Sequence, residues 1–390
     1  MITKFQVSNF KALRNVSVNL TPLHVLIGPN NSGKSSILDA IYGLLRSVTM
    51  PLAEAFNTPR NGYSLLWHME QGLVVRFHVH VDDGGASFEY GLGFKLKDSP
   101  ITQEEWTALP SASNRQNFAL AGANITAVCH ASRGQVPVED EQAASVVRKS
   151  LNGVQYYRWN TRLLGLPAAP DSSRRFRMHE SGFGLVLCLD DILGFDRDRF
   201  AALEKAFLSI FPDVQSIQLV SEPAFRTTSQ TAAIPTLTPA EGKGIHIEFK
   251  DGLRLPALQV SDGMLLVLAY LSLFKNPESP RVLLIEEPEN GVHPSRLKDV
   301  ISILRSLVQG QDHTQVILTT HSPYVLDLFE PNEVTLCRKA EDGSISTQRL
   351  SDSPLVERQR KVFTLGEIWT AEGDEALGGK ALTQAEATQE

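Results

Sequence analysis

The stretch LIGPNNSGKSSILDAIYGLL, residues 26–45, decides how this chain is to be read. Gly28, Gly33, Lys34 and Ser35 fit the pattern G-x-x-x-x-G-K-S. Glycines at those two places let backbone N–H groups curl around a phosphate with no Cβ in the way, and the following helix points its positive end at the anion. Lys34 is placed to reach β and γ phosphates, and the Ser35 hydroxyl to ligate Mg²⁺. Asn30, Asn31, Ser32 and Ser36 complete the loop and are assigned to the same site. The context agrees with this reading. The apolar run LHVLIG precedes the loop, and Ile37, Ala40, Ile41, Leu44 and Leu45 follow at helical spacing.

A nucleotide site needs acidic groups as well, and VLLIEEPENGVHP supplies them. Four apolar residues run into Glu286 and Glu287, as at the end of a buried strand. The first carboxylate is assigned to the Mg²⁺ shell and the second to polarising the attacking water as catalytic base. In VILTTHSPYVL, His321 stands just past another apolar strand, where an imidazole can hydrogen-bond the γ-phosphate and that water. Finally, QVSDGMLLVLAYL starts an almost wholly apolar helix at Ser261, Asp262 and Gly263. An N-cap explains Ser261 or Asp262 there. A second reading is that this helix start meets the γ-phosphate of ATP bound to another copy of the chain.

With those pieces in order, the chain resembles ABC-type ATPases of the OLD (overcoming lysogenisation defect), RecF and SMC kind. It is most similar to stand-alone OLD-type AAA ATPases of prokaryotic antiviral defence. VSNFKALRNVSVNL followed by the phosphate loop looks like their N-terminal half, VSDG like a degenerate LSGGQ signature, and LLIEEPENGVHP and LTTHSP like their later motifs. The similarity covers residues 1–50 and 180–335. It implies an α/β fold: an ABC-ATPase-like P-loop core with a mixed sheet, an antiparallel β flank and an inserted helical lobe. It also implies ATP and Mg²⁺ as cofactors and a head-to-tail homodimer or higher homo-oligomer. Two ATPs would lie between phosphate loops and opposing signatures, with Ser261 and Gly263 acting in trans, Glu287 as base and His321 as switch. Lys11, in NFKAL, matches a basic position near the nucleotide. Three departures stand out. Asp262 and Met264 replace the Gly and Gln of the signature, Glu286 replaces the commoner Asp, and no Q-loop glutamine is assigned, Gln155 in GVQYYRW being a guess for it.

Full-length OLD proteins also carry a C-terminal nuclease domain, and no D-x-D sits at a strand end after His321. The expectation is an ATPase component working with a separately encoded, nuclease-like effector. The competing expectation is a RecF-like repair clamp that grips DNA directly. The net charge of −7 gives no global pull on nucleic acid. Direct nucleic-acid contact would fall to two basic runs, Arg174, Arg175 and Arg177, and Arg358, Arg360 and Lys361. The interval between Ser35 and Ser261 is too long for a transporter's nucleotide-binding subunit, and the lack of heptads excludes a coiled-coil clamp.

Composition adds little beyond class: 42% hydrophobic and 21% charged residues describe an ordinary globular chain. Cys129, Cys188 and Cys337 are scattered, with no CxxC spacing or nearby histidine cluster. Neither a disulfide framework nor a zinc site is expected, and a reducing, cytoplasmic setting is. No apolar run is long enough to cross a bilayer, so no membrane partner is expected. The expected organisation is an N-terminal ATPase half over 1–97 and an inserted region over 98–260, with a helical lobe at about 180–212. A C-terminal ATPase half over 261–370 and a loose tail over 371–390 follow. Residues 98–175 read as irregular and polar. Asp196 and Asp198 in FDRDRF match D-x-D but open a helix, which makes a cap the simpler explanation.

Overall fold

A computed structural model describes residues 1–56, 65–67, 72–83, 87–96, 100–109, 115–118, 125–131, 138–170, 176–227, 235–310 and 314–378. In chain order the elements begin with β1 (Ile2–Phe10), β2 (Leu13–Asn19), β3 (Leu23–Ile27), α1 (Lys34–Ser47) and α2 (Leu52–Phe56). Next come β4 (Val74–Asp82), β5 (Ser87–Leu96), β6 (Pro100–Ala108), β7 (Gln116–Asn117), α3 (Ala127–Ala131) and α4 (Val138–Leu151). The middle of the chain forms β8 (Val154–Tyr157), α5 (Thr161–Leu164), α6 (Leu185–Phe195), α7 (Arg197–Ile210), β9 (Val214–Thr227), β10 (Leu237–Phe249) and β11 (Arg254–Pro256). The last part forms α8 (Asp262–Phe274), β12 (Val282–Glu286), α9 (Pro294–Gln309), β13 (Gln315–Thr319), α10 (Pro323–Leu326), β14 (Val334–Lys339), β15 (Ile345–Arg349), α11 (Pro354–Gln359) and α12 (Leu365–Leu377).

The elements divide into two compact units. The first comprises Met1–Val154 and Gln315–Glu390. It contains an antiparallel sheet in the order β2-β1-β4-β5-β6-β7. The inward residues of this sheet are mostly apolar and meet an aromatic cluster. Phe56 from α2 lies 4.9 Å from Phe94, 5.5 Å from Phe77 and 6.1 Å from Phe10, ring centre to ring centre. Gly43 lets α1 approach that cluster, since a Cβ there would sit 2.3 Å from the Phe56 ring.

The same unit holds the strand that feeds the phosphate loop. β3 is buried along its whole length and pairs in parallel with β13 on one side and β14 on the other, with β15 antiparallel to β14. A five-residue apolar run buried on both faces is what such a central strand requires. Its one polar residue, His24, is fixed by Thr21 Oγ1 at 3.1 Å and Thr335 Oγ1 at 2.9 Å. Burial drives its pKa down to about 3, so the ring is neutral there.

Within 98–175, where the sequence reads as irregular, the structure has β6, α3, α4 and α5. β6 is hard to read because its alternation is inverted: Glu105 and Thr107 point inward while Trp106 faces out. Glu105 tolerates burial by accepting from Tyr90 Oη (2.9 Å), Ala127 N (2.5 Å) and Val128 N (3.2 Å).

The second unit is Gln155–Thr314. The helices expected near 180–212 are α6 and α7, and Asp196 caps α7 by accepting from Asp198 N and Arg199 N. β9 and β10 form a hairpin longer than the runs VQSIQLV and GIHIEF suggest, pairing from Val214↔Phe249 out to Thr227↔Leu237. Its distal half lacks apolar alternation. Main-chain bonds hold it there, including Ala168 N to Lys243 O (2.9 Å) and Ala169 N to Phe225 O (2.8 Å). α8 is buried almost all round, from Met264 to Leu273. Among the described residues, no helix is long and apolar enough to cross a membrane.

Candidate nucleotide site

The phosphate loop belongs to the first unit and has the conformation its glycines allow. Gly28 has φ +135° and Gly33 φ +84°, with Asn31 also left-handed at +63°. A Cβ on Gly28 would lie 2.1 Å from the Cys337 carbonyl oxygen, so any larger residue collides with β14. Gly33 precedes α1, and no side chain caps that helix, which leaves its first N–H groups to a ligand. Lys34 is buried, its ammonium donating to Gly28 O at 2.8 Å and Pro29 O at 2.9 Å. Asn30, Asn31 and Ser35 are exposed, Ser36 is half-buried and Ser32 is buried. A loop with aligned N–H groups and a buried lysine suits a polyphosphate.

His321 emerges at the same end of the central strands. β13 runs parallel to β3, Thr319 lies opposite Leu26, and Thr320 N donates to Leu26 O at 3.1 Å. The residue is exposed, and Ser322 after it caps α10. Lys11 is left-handed at φ +51° and forms a 2.7 Å ion pair with Asp39 of α1, both side chains largely buried.

The acidic motif lies in the second unit. Glu286, the last residue of β12, keeps a buried carboxylate that Tyr156 Oη meets at 2.6 Å and Arg158 Nε at 3.2 Å. These two donors were not legible as site residues, because nothing in GVQYYRW marks which aromatic faces β12. Gln155, the Q-loop candidate from the same segment, accepts from Tyr157 Oη at 3.0 Å. Glu287 adopts φ +49°, a left-handed conformation uncommon for glutamate, and Asn290 Nδ2 donates to it. Such a conformation costs about 1–3 kcal/mol and is retained where a side chain must be aimed.

Ser261 is the exposed N-cap of α8 and accepts from Met264 N at 3.3 Å, as the simpler of its two readings requires. The turn after Glu287 lies beside this helix start, since a Cβ on Gly291 would be 3.3 Å from Asp262 Cβ. A Cβ on Gly263 would meet only the Gly291 carbonyl oxygen, at 3.9 Å, and the residue is half-buried. Of the basic runs, Arg174 and Arg175 lie outside the described residues, Arg177 is exposed, and Arg360 pairs with Glu330.

A phosphate loop at the end of a central parallel strand, in a mixed α/β fold with an antiparallel flank, defines a P-loop ATPase of the ABC and OLD type. The chain belongs to the family described as "AAA domain, putative AbiEii toxin, Type IV TA system", which matches residues 23–327. It is 22% identical over 420 residues to a protein named OLD nuclease from Thermus scotoductus, covering 97% of this chain and 70% of that relative. It is 23% identical over 355 residues to an ATP/GTP phosphatase from Helicobacter pylori, covering 85% of this chain and 88% of the relative. Its fold is also that of an SMC head solved with the C-winged helix domain of ScpA. That match has a TM-score of 0.51 at 15% identity and covers 90% of this chain and 98% of the other. The chain is an ATPase.

Proposed function

We propose that this ATPase is a regulatory switch. ATP bound by Lys34, Ser35 and the loop from Gly28 to Ser36 joins two copies head to tail, and the closed assembly controls a separate effector in antiviral defence. Ser261 and Gly263 complete the site in trans, Glu287 polarises the attacking water, and His321 reports the γ-phosphate. Ser35 and Glu286 would hold Mg²⁺, which supplies charge neutralisation on the phosphates. A serine hydroxyl and a carboxylate are the kind of oxygen donors that such a hard cation takes. Lys11, already paired with Asp39, buttresses α1 behind the loop.

The observation that carries this reading is the start of α8. It is a helix N-terminus with Ser261 and Asp262 exposed and only the Gly291 carbonyl oxygen near Gly263, in a signature-like sequence that the chain's own packing leaves available. A second copy's γ-phosphate satisfies it only when the assembly closes, and that differential contact is what lets ATP drive a switch. The relative named OLD nuclease supports a nuclease-like partner.

Sedimentation with and without ATP tests the reading. Glu287→Gln is expected to bind ATP, stop hydrolysis and accumulate a dimer or larger species, while Ser261→Arg binds ATP but stays monomeric. Dimerisation of Ser261→Arg at the wild-type level would refute the trans contact. Isolation of the native complex then tests the effector. A stoichiometric nuclease supports it, whereas salt-sensitive, ATP-dependent retention of DNA by the chain alone moves the assignment to a repair clamp.

A further inference from the structure

The outer face of the antiparallel sheet carries a cluster that the ATPase reading does not use. His78 and His80 alternate along β4, so both project from the face opposite the aromatic core, with Val79 between them buried. Strand register places Glu89 of β5 directly opposite His80. Its carboxylate receives both rings: Oε2 lies 3.0 Å from His78 Nε2, and Oε1 lies 3.2 Å from His80 Nδ1. One donor atom from each residue lies within 4.8 Å of the other two. Tetrahedral zinc bonds of about 2.0–2.2 Å set donors roughly 3.3–3.5 Å apart, so the three need only small side-chain shifts to share one ion.

Proton counting at His78 points the same way. Gln6 Oε1 faces Nδ1 at 2.9 Å while the Glu89 carboxylate faces Nε2, so two acceptors address one ring. A neutral imidazole has a single N–H to offer. A cation between Nε2 and the carboxylate resolves the conflict. Gln6 then takes the position that second-shell acceptors occupy in metal sites, fixing the ring by its other N–H.

We propose that His78, His80 and Glu89 form a zinc-type divalent metal site with a fourth position left to water. Two imidazoles and a carboxylate are a donor set that zinc and its borderline neighbours prefer over Mg²⁺ or Ca²⁺. His78 also lines an open groove of about 300 Å³, together with Gln6, Arg76, Trp106 and Arg115. Arg115 stacks 3.5 Å over the Trp106 ring and Arg76 pairs with Glu104, which gives the groove mixed charge. Lys4 lies opposite His80 on β1, and its charge tempers the affinity for a dication. The cysteine spacing that argues against zinc in this chain is silent about such a site, since no ligand here is a thiol.

Tag-free full-length protein is stripped with a chelator, and zinc uptake is measured by competition with a chromophoric chelator in the absence of nucleotide. Wild type is expected to bind one equivalent more tightly than the double variant His78→Gln/His80→Gln, and Gln6→Leu to weaken binding by about tenfold. Co²⁺ should give the visible d–d bands of a tetrahedral site in wild type and lose them in the double variant. The ATPase rate and melting curve serve as folding controls and should not change. Zinc uptake by the double variant equal to wild type, or no uptake by wild type, overturns the proposal.

Discussion

Glu105 makes the sharpest energetic prediction. Its carboxyl lies inside the first unit, and burial outweighs its three hydrogen bonds and raises its pKa to about 7 from the model-compound 4.5. A folded-state pKa above the unfolded value means the native state binds more protons between those two points. Stability therefore falls as pH rises through that window and levels off above about 7.5. At about 1.4 kcal/mol per pKa unit the full cost is about 3 kcal/mol, most of it expressed between pH 5 and pH 8. Glu105→Gln removes the titration. The assay is urea unfolding at a series of pH values, followed by far-UV circular dichroism and total tryptophan fluorescence. Wild type should lose about 2–3 kcal/mol relative to the variant from pH 5 to pH 8. Parallel pH profiles for the two proteins would show that the three donors keep the carboxylate ionised, and the reasoning would fail.

Three further outcomes follow from contacts already described. Gly28→Ala meets the Cys337 carbonyl and an unfavourable φ, so it should cost about 2–4 kcal/mol in thermal unfolding and abolish ATP binding in a filter assay. Lys11→Met removes the cation 2.7 Å from the buried Asp39 carboxylate, which should destabilise by about 2–4 kcal/mol, and adding Asp39→Leu should recover much of that loss. Tyr156→Phe deletes the 2.6 Å bond to Glu286. ATP turnover should fall about tenfold with nucleotide affinity unchanged, and an unaltered rate would separate Tyr156 from the chemistry.

How much of this was legible follows from which forces write themselves into local sequence. The loop from Gly28 to Ser36 was readable because left-handed backbone demands glycine and the flanking strand and helix have clean periods. β1, β2 and β3 were readable from the same apolar patterning. β6 was not, because Glu105 and Thr107 face inward, the first made tolerable by Tyr90 and the start of α3 and the second by the Glu89 carbonyl, all distant in sequence. The Tyr156 and Arg158 contacts to Glu286 escaped for a similar reason: they depend on how strands lie beside one another, which no spacing rule encodes. His78, His80 and Glu89 look like any polar face of a strand until register sets Glu89 against His80.

The position of β3 bears on how the chain is made. This strand is made long before the strands that cover its two edges, β13 and β14, which begin only at Gln315 and Val334. Closing a loop of that size carries an entropic cost before any pairing compensates it, so such long-range topology folds slowly. Until those strands are made, the nucleotide-binding strand is an apolar segment with two bare edges, the condition that invites aggregation or chaperone capture. Assembly of the phosphate loop's supporting sheet thus waits for β13 and β14, and a nascent chain cut short before β13 has no completed sheet on which to bind ATP.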